Sequence, residues 1–378
     1  MSKTALVHEW FTAMAGSEKV VEQLCDLYPQ SDMFAVYADP DMVAGAEFLR
    51  SHKLQTSFIQ NLPCSARLFR QYLLLMPLAV EQFDMSSYDV VISSNHAVAK
   101  GVLTGPDQLH ISYVHTPIRY AWDLQHQYLR EAGLDAGVKG WMTKWMLHKM
   151  RIWDYRTASG VDYFVANSNF IARRIRKVYG RRADVIYPPV DVSGFSIGER
   201  RDDFYLAASR LVPYKRMDLI VEAFTAMPDK KLVVVGDGPE LEALRDQLPD
   251  AAFLGAKYGE DLSKAYASLD VFVHTGPHET FCQAVQEAMA SGLPVLAPDA
   301  GGPKDLVLPG RTGYLLPADR ERFGPALVEK VDALRDAALR ARLGEKARKV
   351  VLGRTWPAVC HELVGHYEAV RGRAARAA

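Results

Sequence analysis

The hydrophobic positions of the chain form short apolar runs separated by stretches with helical spacing. Runs rich in β-branched residues predict strands at 4–8, 90–93, 109–114, 163–166, 184–186, 204–208, 231–235, 252–254, 271–274 and 294–297. Helical spacing predicts helices at 19–28, 169–179, 217–227, 239–247 and 281–291. Alternating strands and helices are typical of parallel, doubly wound sheets, whose ligands bind at the carboxyl ends of the strands. The pattern therefore predicts an α/β fold with its functional residues in the loops that follow the strands.

A break in composition divides the chain near residue 190. The segment Tyr187-Pro-Pro-Val-Asp191 contains two adjacent prolines, which exclude helix and hold the backbone extended. A new series of strands and helices begins at Phe204, and 378 residues exceed what one hydrophobic core usually supports. We therefore predict two Rossmann-like domains, 1–190 and 191–355. A last helical stretch, 356–370, follows the second domain, and we expect a frayed tail after it.

The composition is that of a globular protein without a charge surplus. Hydrophobic residues make up 49% and charged residues 24%, and 45 basic residues balance 45 acidic ones. This balance argues against bulk nucleic-acid binding, which normally needs a basic surplus. The four cysteines have no CxxC spacing, which indicates reduced thiols in or near the core. Without a signal region or an apolar run near the ~18 residues of a membrane span, we expect a cytoplasmic protein, at most attached to a membrane surface.

The most informative segment runs from His274 to Gly292 and predicts a strand, a Gly-Pro loop and a helix. Glu279 lies in the loop, and Glu287 follows eight positions later. A helix that begins near Phe281 directs its free backbone amides toward whatever lies beside Glu279, and such helix N-termini attract anions. Two carboxylates at this position suit a hydroxyl-rich ligand that carries phosphate. The alternative interpretation is structural, with an acidic first turn and a solvated glutamate.

Basic residues and tight turns follow the neighbouring predicted strands. Arg210 and Lys215 come directly after one strand, where two fixed cations can neutralise a diphosphate and stabilise a leaving group. A solvated basic loop is the alternative. Gly236 ends the next strand in a Gly-Asp-Gly-Pro turn, and the segment from Leu254 to Lys257 ends the one after it. Each turn is a weak signal by itself, because many α/β proteins turn in this way.

Two loops of the first half offer further candidates. Gly16 lies in a strand–loop–helix segment and lets the backbone approach a phosphate, but the segment is not GxGxxG and does not support a standard dinucleotide site. His115 and Arg119 follow a predicted strand, and Pro117 forces the chain out of regular structure between them. Both side chains are then expected at the carboxyl end of the sheet. On its own, a single histidine after a strand is more often structural.

Other segments combine basic and apolar residues. In 144–153, tryptophans and basic residues recur at helical spacing, and further arginines cluster near 173–182. Such features dock proteins on anionic lipid headgroups. A core-facing aromatic stripe with a solvated basic face is an equal alternative. The segment 62–75, which contains Arg70, is either a helix that faces a ligand or plain core.

Several of these motifs occur together in one order along the chain. They are Arg210 with Lys215, the turn at Gly236, Glu279 with Glu287, and Pro294-Val-Leu-Ala-Pro-Asp-Ala-Gly-Gly302. Their order and spacing resemble the family 4 retaining glycosyltransferases, over essentially the whole chain. The segments 8–20, 93–101 and 115–123 resemble bacterial mannosyltransferases of O-antigen synthesis. The segment 275–283 resembles actinobacterial GDP-mannose-dependent α-mannosyltransferases.

This resemblance implies a GT-B fold, in which two Rossmann-like domains face a central cleft. The donor then binds mainly to the second domain and the acceptor to the first, and the helix at 356–370 packs back on the first. By position in the motifs, Arg210 and Lys215 hold the donor diphosphate. Glu279 contacts the transferred sugar, and His115 lies beside the reacting sugar.

The resemblance also implies the rest of the donor and acceptor sites. Glu287 binds the ribose hydroxyls. Further donor contacts are implied at Gly16, Gly236, the backbone amides of Thr280, Phe281 and Cys282, and near the base at Leu254 and Lys257. Arg119 and Arg70 are assigned to the acceptor side. Many relatives carry two adjacent glycines where this chain has Ala15 and Gly16, which weakens the assignment of Gly16.

No metal and no cofactor are expected, because GT-B enzymes do not rely on a metal. The segment Asp39-Pro-Asp41 matches the DxD metal motif of a different glycosyltransferase fold, but it lies in an early loop far from the donor motifs. The nucleotide sugar is the substrate. Retention of the anomeric configuration requires either a two-step displacement or attack on the donor's own face. The resemblance favours attack on the same face, with the departing phosphate accepting the proton of the acceptor hydroxyl.

The expected function is transfer of an α-mannosyl group from GDP-mannose to a lipid-linked or oligosaccharide acceptor in the synthesis of bacterial envelope polysaccharides. A UDP-sugar donor with a different acceptor, or a sugar-nucleotide-binding protein without catalysis, are the alternatives. A phosphorylase of similar architecture requires a pyridoxal lysine motif that the sequence lacks, and sugar-nucleotide epimerases fit the two glutamates poorly. Expected partners are the nucleotide sugar, the glycan acceptor and the inner surface of the plasma membrane, but no nucleic acid.

Overall fold

The structure, a computed structural model, describes residues 3–198, 204–355, 358–359, 361–363, 365, 367, 369 and 372. Its contacts divide the chain into two compact units, Met1–Tyr187 with Cys360–Ala378, and Pro188–Val359. The helix predicted at 356–370 falls partly outside the described residues, as does nearly all of the tail, so their arrangement stays a prediction. Among the described residues, Cys25 and Cys282 are buried as expected, whereas Cys64 is exposed.

The first unit is built on a parallel sheet with the strand order β3-β2-β1-β4-β5-β6-β7. The strands are β1 Thr4–Phe11, β2 Asp32–Ala38, β3 Leu54–Thr56, β4 Val90–Asn95, β5 Leu109–Val114, β6 Tyr163–Ala166 and β7 Asp184–Val185. The helices are α1 Gly16–Leu27, α2 Pro40–Gly45, α3 Glu47–Ser51, α4 Ser65–Leu68, α5 Met76–Glu81, α6 Gln125–Glu131, α7 Gly137–Thr157 and α8 Asn169–Tyr179.

Strand β1 lies in the interior of this sheet, between β2 and β4, and its side chains are buried along almost the whole strand. A parallel strand covered on both faces is usually an unbroken apolar run. In β1 the run is interrupted by His8 and Glu9, and both side chains are fully buried. Buried charged groups need partners, and those of His8 and Glu9 belong to the site described below.

Helix α8 illustrates how local sequence sets an element. The Ser168 hydroxyl caps its start by accepting a hydrogen bond from the Ile171 backbone amide at 3.2 Å. Gly180 ends it with a left-handed φ of 67°, a conformation that glycine adopts without strain. The helix therefore has the bounds that the sequence predicts.

The second unit contains a parallel sheet with the order β10-β9-β8-β11-β12-β13. Its strands are β8 Phe204–Ala208, β9 Lys231–Val235, β10 Ala252–Phe253, β11 Val271–Val273, β12 Val295–Pro298 and β13 Gly313–Leu316. Its helices are α9 Met217–Thr225, α10 Leu241–Gln247, α11 Gly259–Ala267, α12 Gln283–Ala290, α13 Pro303–Leu306, α14 Arg320–Ala333 and α15 Ala337–Leu352.

Both sheets have the strand order of the Rossmann fold, in which the first and fourth strands are neighbours. The chain runs outward from the first strand to one edge and then crosses back to the fourth. The resulting switch points lie between β1 and β4 in the first unit and between β8 and β11 in the second. Ligands of such sheets bind at the carboxyl ends of these two strands.

The α/β fold with Rossmann-like sheets is confirmed, and the strands expected from the sequence are present with small shifts at their ends. Strands β2, β3 and β13 were not expected. The residues of β2 are buried in the core of the first unit, whereas β3 is short and only partly buried, and β13 is partly buried too. Short, partly buried strands such as β3 and β13 carry little hydrophobic pattern, which explains why they escape prediction. Strand β2 has seven residues and a clear apolar run, so it was predictable from the sequence.

Candidate functional site

The candidate site of the second unit lies at the carboxyl ends of β8 and β11. The loop after β8 carries Arg210 and Lys215, and the loop after β11 carries Glu279. Because β8 and β11 are hydrogen-bonded neighbours, the two loops emerge side by side at the switch point. The sheet topology therefore brings together residues that are more than sixty positions apart in the sequence.

A buried ion pair joins the two loops. The Lys215 ammonium donates to Glu279 Oε1, and each side chain is only 14% exposed. His274 Nε2 lies 3.4 Å from the same carboxylate oxygen, and the Thr275 hydroxyl donates to the Lys215 carbonyl at 2.9 Å. The Lys215 side chain is therefore fixed beside Glu279, and its backbone is tied to the loop after β11.

The charges of this pair stabilise one another. Burial alone would raise the pKa of Glu279, but the Lys215 ammonium and His274 outweigh it and hold the pKa well below its ordinary value. Burial likewise disfavours the ammonium of Lys215, yet Glu279 raises its pKa above the ordinary value. Both groups are therefore charged at neutral pH, and together they form a preorganised dipole in a largely buried site.

Glycines make room for this arrangement. A Cβ on Gly276 would lie 2.9 Å from His274 Nε2 and 3.2 Å from Glu279 Oε1. A Cβ on Gly302 would lie 2.4 Å from the Cα of Phe281, and the Gly302 amide donates to the Glu279 carbonyl at 2.8 Å. The glycines of the segment that ends at Gly302 thus pack directly on the backbone of the loop that holds Glu279.

Helix α12 begins later than the sequence predicts. It starts at Gln283 rather than near Phe281, because Cys282 adopts a left-handed backbone with φ 82° and ψ 76°. The first amides of a helix have no partner within it, so they remain suited to an anion. One helix face carries Glu287, whose Oε2 accepts a hydrogen bond from the buried Tyr266 hydroxyl at 3.2 Å.

Within the described ranges, one group of side chains has the composition of a metal site. Ligand atoms of His274, Glu279 and Cys282 lie within 4.8 Å of one another. Burial raises the pKa of the Cys282 thiol well above its ordinary value, so it is a neutral thiol in this environment. The carboxylate already contacts Lys215, which supplies the positive charge that a metal would otherwise bring.

Arg210 is placed differently from Lys215. It is exposed, and its guanidinium donates to the Tyr214 hydroxyl at 2.5 Å. The Lys215 ammonium lies 5.5 Å from the centre of the same Tyr214 ring. Tyr214 therefore links the two cations, although only Lys215 belongs to the buried cluster.

The turn after β9 packs against the loop after β8, and its Gly236 amide donates a hydrogen bond to the Gly255 carbonyl in the turn after β10 at 2.9 Å. A Cβ on Gly236, which has φ 146°, would lie 1.8 Å from the Ser209 carbonyl oxygen. This close approach accounts for the glycine by packing alone. Leu254 is 44% exposed at the end of β10, and Lys257 is half-buried beside it. An exposed leucine at the carboxyl end of a strand leaves an apolar surface beside this loop.

The first unit contains a second polar cluster, at the ends of β1 and β4. His115 follows β5, and its Nε2 lies 2.8 Å from the Ser94 hydroxyl. That hydroxyl is also 3.1 Å from His8 Nδ1, and His8 Nε2 lies 3.3 Å from Glu18 Oε1. The second carboxylate oxygen of Glu18 accepts from the Ala15 backbone amide at 3.2 Å, which ties the loop before α1 to the same network.

Glu9 organises the adjacent loop. Its Oε1 accepts hydrogen bonds from four successive backbone amides, those of 96–99, at 2.8 to 3.1 Å. Its Oε2 lies 2.8 Å from His96 Nδ1. Burial alone would raise the pKa of Glu9, but His96, His8 and these amides hold it well below its ordinary value. Glu9 is therefore a fixed internal anion that shapes the loop after β4.

The remaining predicted residues lie apart from these clusters. Gly16 is exposed at the start of α1, and nothing lies within 4 Å of a Cβ placed on it, so packing does not require a glycine there. Arg119 is half-buried after β5. Arg70 is exposed, with its guanidinium 4.8 Å from the centre of the Phe69 ring. Asp39, in the DxD-like segment, caps α2 by accepting from the Asp41 amide at 3.0 Å.

Sequence analysis missed His274, Tyr214 and Tyr266 in the second unit. In the first unit it missed His8, Glu9, Glu18, Ser94 and His96. Buried charges inside β1, an apolar strand, were the signal that could have revealed His8 and Glu9, because such groups are seldom buried without partners. Ser94 carries no comparable signal.

Two family descriptions match adjoining parts of the chain. "Glycosyltransferase Family 4" matches residues 14–193, and "Glycosyl transferases group 1" matches residues 195–350. The chain belongs to the family 4 glycosyltransferases. The two matches meet near the boundary between the two compact units.

Curated relatives share high identity over part of this family 4 chain. The GDP-mannose-dependent alpha-mannosyltransferase of Mycobacterium tuberculosis is 54% identical over 166 residues, which are 43% of this chain and 42% of the relative. The protein of the same name from Mycolicibacterium smegmatis is 48% identical over 221 residues, 55% of this chain and 56% of the relative. The chain thus spans about half the length of the curated relatives it matches.

Solved structures resemble the whole chain. Sucrose-phosphate synthase from Thermosynechococcus elongatus has a TM-score of 0.76 at 19% identity, covering 99% of this chain and all of that one. The HepE protein of Anabaena in complex with UDP has a TM-score of 0.71 at 16% identity, covering 97% of this chain and all of that one. At such identity the likeness concerns the fold, and it confirms a GT-B glycosyltransferase fold built from two Rossmann-like domains.

Proposed function

We propose that this family 4 protein is a retaining hexosyltransferase that moves an α-mannosyl group from GDP-mannose to a glycan or lipid-linked glycan acceptor. The observation that carries the proposal is the buried Lys215–Glu279 pair at the switch point of the second unit. The matching relatives named as GDP-mannose-dependent enzymes support the choice of donor.

In this proposal Lys215 and Arg210 bind the donor diphosphate. Lys215 is held in place by Glu279 and by the hydrogen bond to its carbonyl, so it needs little reorganisation when charge develops on the leaving phosphate. Arg210 is exposed and free of the buried cluster, which suits a side chain that closes on the ligand. The ammonium then interacts with both the diphosphate and Glu279.

Glu279 and Glu287 are assigned to the sugars of the donor. The Glu279 carboxylate is ionised and fixed, so it can accept hydrogen bonds from hydroxyls of the transferred sugar. Glu287 is oriented by Tyr266 and accepts hydrogen bonds from the ribose hydroxyls. The exposed Leu254 lies at the end of β10, where we place the base.

The transfer step is a substitution at the anomeric carbon. The bond from this carbon to the phosphate oxygen breaks, and its electron pair leaves with the phosphate. The acceptor oxygen forms the new bond on the same face, and its proton passes to the departing phosphate oxygen. The protein stabilises the charge on the phosphate with Lys215 and Arg210, so no metal or cofactor is needed.

Donor screening tests this proposal. Isothermal titration with GDP, UDP and ADP identifies the base, and incubation with the matching sugar nucleotides measures hydrolysis and transfer. We expect tightest binding of GDP and turnover of GDP-mannose. Tighter binding of UDP would favour the alternative donor, and binding without turnover, with acceptor glycans present, would favour a non-catalytic binding protein.

Variants at the two cations connect that assay to the site. We expect Arg210→Ala and Lys215→Ala to lower turnover by orders of magnitude, since each removes a fixed charge beside the leaving group. Lys349→Ala, which changes a lysine that is 68% exposed on α15 and outside the proposed donor site, is the control for loss of positive charge. Near-wild-type turnover in both Arg210 and Lys215 variants would overturn the diphosphate assignment.

We also propose that the protein contacts a membrane surface through helix α7. None of the helices in the described part of the chain is long and apolar enough to cross a membrane. The helix instead carries an exposed face, the α7 stripe, whose members are Val138, Trp141, Met142, Trp145, Ile152 and Tyr155. Trp141 is 67% and Trp145 is 48% exposed, so these tryptophans do not face the core, whereas Trp153 is half-buried against it.

The charge of α7 complements an anionic surface. Residues 137–153 contain no acidic side chain, and Lys139 and Lys149 are exposed beside the stripe. Tryptophan and lysine together favour the boundary between lipid headgroups and acyl chains. An acceptor that is itself anchored to lipid would be presented at such a surface.

Flotation with vesicles tests this contact. We expect the protein to float with vesicles of phosphatidylcholine and phosphatidylglycerol, but not with phosphatidylcholine alone. The double variant Trp141→Ser/Trp145→Ser should lose flotation, whereas Tyr258→Ser, at a residue 81% exposed in the second unit, should retain it. Equal flotation of the double variant would contradict the assignment of α7.

A further inference from the structure

A chain of hydrogen-bonding groups runs through the first unit from Glu18 to His115. Its members are Glu18, His8, Ser94 and His115, with separations of 3.3, 3.1 and 2.8 Å in that order. All four are buried, and the pairing of His8 with Ser94 across β1 and β4 fixes the middle of the chain. The proposed transfer step assigns no role to the first three of these residues.

The surroundings of His8 determine its protonation. Its Nδ1 lies 3.2 Å from the Ser94 carbonyl oxygen, and its Nε2 lies 3.3 Å from Glu18 Oε1. A carbonyl and a carboxylate only accept hydrogen bonds, so each ring nitrogen must carry a proton to satisfy them. A second carboxylate oxygen, of Glu9, lies 3.8 Å from Nδ1. His8 is therefore an imidazolium ion between two acidic side chains.

This charge state orients the Ser94 hydroxyl. The Nδ1–H of His8 points at Ser94 Oγ as well as at the Ser94 carbonyl, so the hydroxyl oxygen accepts and its own proton must go elsewhere. Among the described residues, the acceptor within reach is His115 Nε2 at 2.8 Å. His115 Nε2 then carries a lone pair, and the proton of the neutral ring is on Nδ1.

We infer that Glu18, His8 and Ser94 hold His115 as the neutral tautomer protonated on Nδ1, which makes His115 a hydrogen-bond donor to a ligand oxygen at the carboxyl ends of β1 and β4. The inference deepens the proposed function and rests on it for the identity of that oxygen. His115 makes no hydrogen bond from Nδ1 within the described ranges, so this N–H is available to a ligand. Ser94, His8 and Glu18 are positioning residues, because they act through His115.

The electrostatics of the cluster agree with this assignment. Burial and the neighbouring histidines His96 and His8 lower the pKa of His115 to about 3, so its ring is neutral at pH 7. Burial would lower the pKa of His8 too, but Glu18 and Glu9 outweigh it and raise that pKa above its ordinary value. A neutral ring with Nδ1–H offers no lone pair toward a ligand, which leaves the departing phosphate to take the acceptor's proton.

The same sheet contains a matched control. Ser93 and His110 form a second buried serine–histidine pair across β4 and β5, with Oγ 3.0 Å from Nε2. His110 Nδ1 lies 3.2 Å from the Gly160 carbonyl, so it also carries its proton on Nδ1. Burial lowers the pKa of His110 to about 4. This pair has the chemistry of the Ser94–His115 pair but no connection to His8.

Nitrogen NMR of the protein labelled with ¹⁵N-histidine tests the tautomer directly, without any ligand. At pH 7 we expect His115 to show a protonated Nδ1 and an unprotonated Nε2, like the internal reference His110, and His8 to show two protonated nitrogens. Signals are assigned with His115→Gln and His110→Gln. A protonated Nε2 on His115, or a singly protonated His8, would overturn the inference.

Kinetics then test the positioning role. We expect Ser94→Ala to lower kcat about tenfold, the worth of one hydrogen bond, with little change in KM, and to redistribute the His115 tautomers in the NMR spectrum. Ser94→Thr keeps a hydroxyl and should restore both readouts, while Ser93→Ala should leave kcat unchanged. Unchanged kcat in Ser94→Ala, or equal losses in Ser94→Ala and Ser93→Ala, would overturn the positioning role.

These experiments separate the two claims. If the Nδ1–H tautomer is observed but no sugar nucleotide is turned over, the proposed function fails while the assignment of the tautomer stands. If GDP-mannose is turned over but His115 carries its proton on Nε2, the inference fails while the function stands.

Discussion

The Lys215–Glu279 pair allows the sharpest prediction about the second unit. Each partner is only 14% exposed, so replacing Lys215 by Met leaves a carboxylate buried without its counter-ion. Breaking a buried pair from one side costs roughly 3–5 kcal/mol, because the remaining charge keeps its desolvation penalty. The double variant Lys215→Met/Glu279→Gln removes both charges and should recover most of that loss.

Hydrogen exchange measured by mass spectrometry resolves this effect locally. Peptides that cover β8 and β11 should exchange roughly 10²- to 10⁴-fold faster in Lys215→Met, since 1.4 kcal/mol corresponds to about a factor of ten. Peptides that cover β1 and β4 belong to the other compact unit and serve as the control. Donor turnover should be lost in both the single and the double variant, because both lack the ammonium.

The pH dependence provides a second check on the same pair. In the wild-type protein the pKa of Glu279 is lower in the folded state than in the unfolded state. The ion pair therefore adds to the free energy of unfolding above the unfolded-state pKa, and this stabilisation is lost as the pH falls through the folded-state pKa. Without Lys215, burial instead raises the pKa of Glu279, and protonation relieves the buried charge. The loss in free energy of unfolding caused by Lys215→Met should therefore become smaller as the pH is lowered from 7.5 to 5.5. A penalty below about 1 kcal/mol, or a double variant less stable than the single one, would contradict a buried Glu279 carboxylate that depends on Lys215 for its counter-charge.

Three further predictions concern the same site. Cys282→Gly should melt about 2–4 °C above Cys282→Ala by calorimetry, because both lose the thiol but only glycine tolerates φ 82° without a strain of about 1 kcal/mol; equal melting temperatures would contradict this. Tyr266→Phe should raise KM for the donor about fivefold to tenfold with little effect on kcat, since it frees Glu287 from a neutral hydrogen bond; an unchanged KM would remove Tyr266 from the site. Turnover should survive dialysis against EDTA, because Lys215 supplies the charge beside Glu279; loss of turnover that zinc restores would instead assign a metal to His274, Glu279 and Cys282.

The local sequence was sufficient to predict the bounds of elements whose ends are set by a cap, a glycine or the end of an apolar run. The bounds of α8 follow from the serine cap and the terminal glycine, and β8 and β9 are apolar runs with clear ends. The placement of Lys215 and Glu279 after strands was predictable for the same reason. Their contact was not, because it depends on β8 and β11 being neighbours, and strand order is set by tertiary packing rather than by local pattern.

Some residues of the two clusters could not be predicted, because the sequence around them gives no indication of their conformation or contacts. In the sequence, Ser94 is simply a small residue of a buried strand. The register between β1 and β4 nevertheless places it between His8 and His115. The left-handed backbone at Cys282 delays the start of α12 by two residues, and nothing in a cysteine predicts that conformation. Gly236 was assigned to the donor, whereas its contact with Ser209 accounts for the glycine without a ligand.

We propose that this family 4 protein uses Lys215 to transfer mannose from GDP-mannose without inversion. The most direct test of this proposal is ¹H NMR of the product formed from GDP-mannose and a mannoside acceptor, with Lys215→Ala assayed beside the wild-type enzyme. We expect a new α-mannosyl linkage, formed as the first product, and a loss of turnover by orders of magnitude in the variant. A β linkage as the first product, or full turnover by Lys215→Ala, would contradict it.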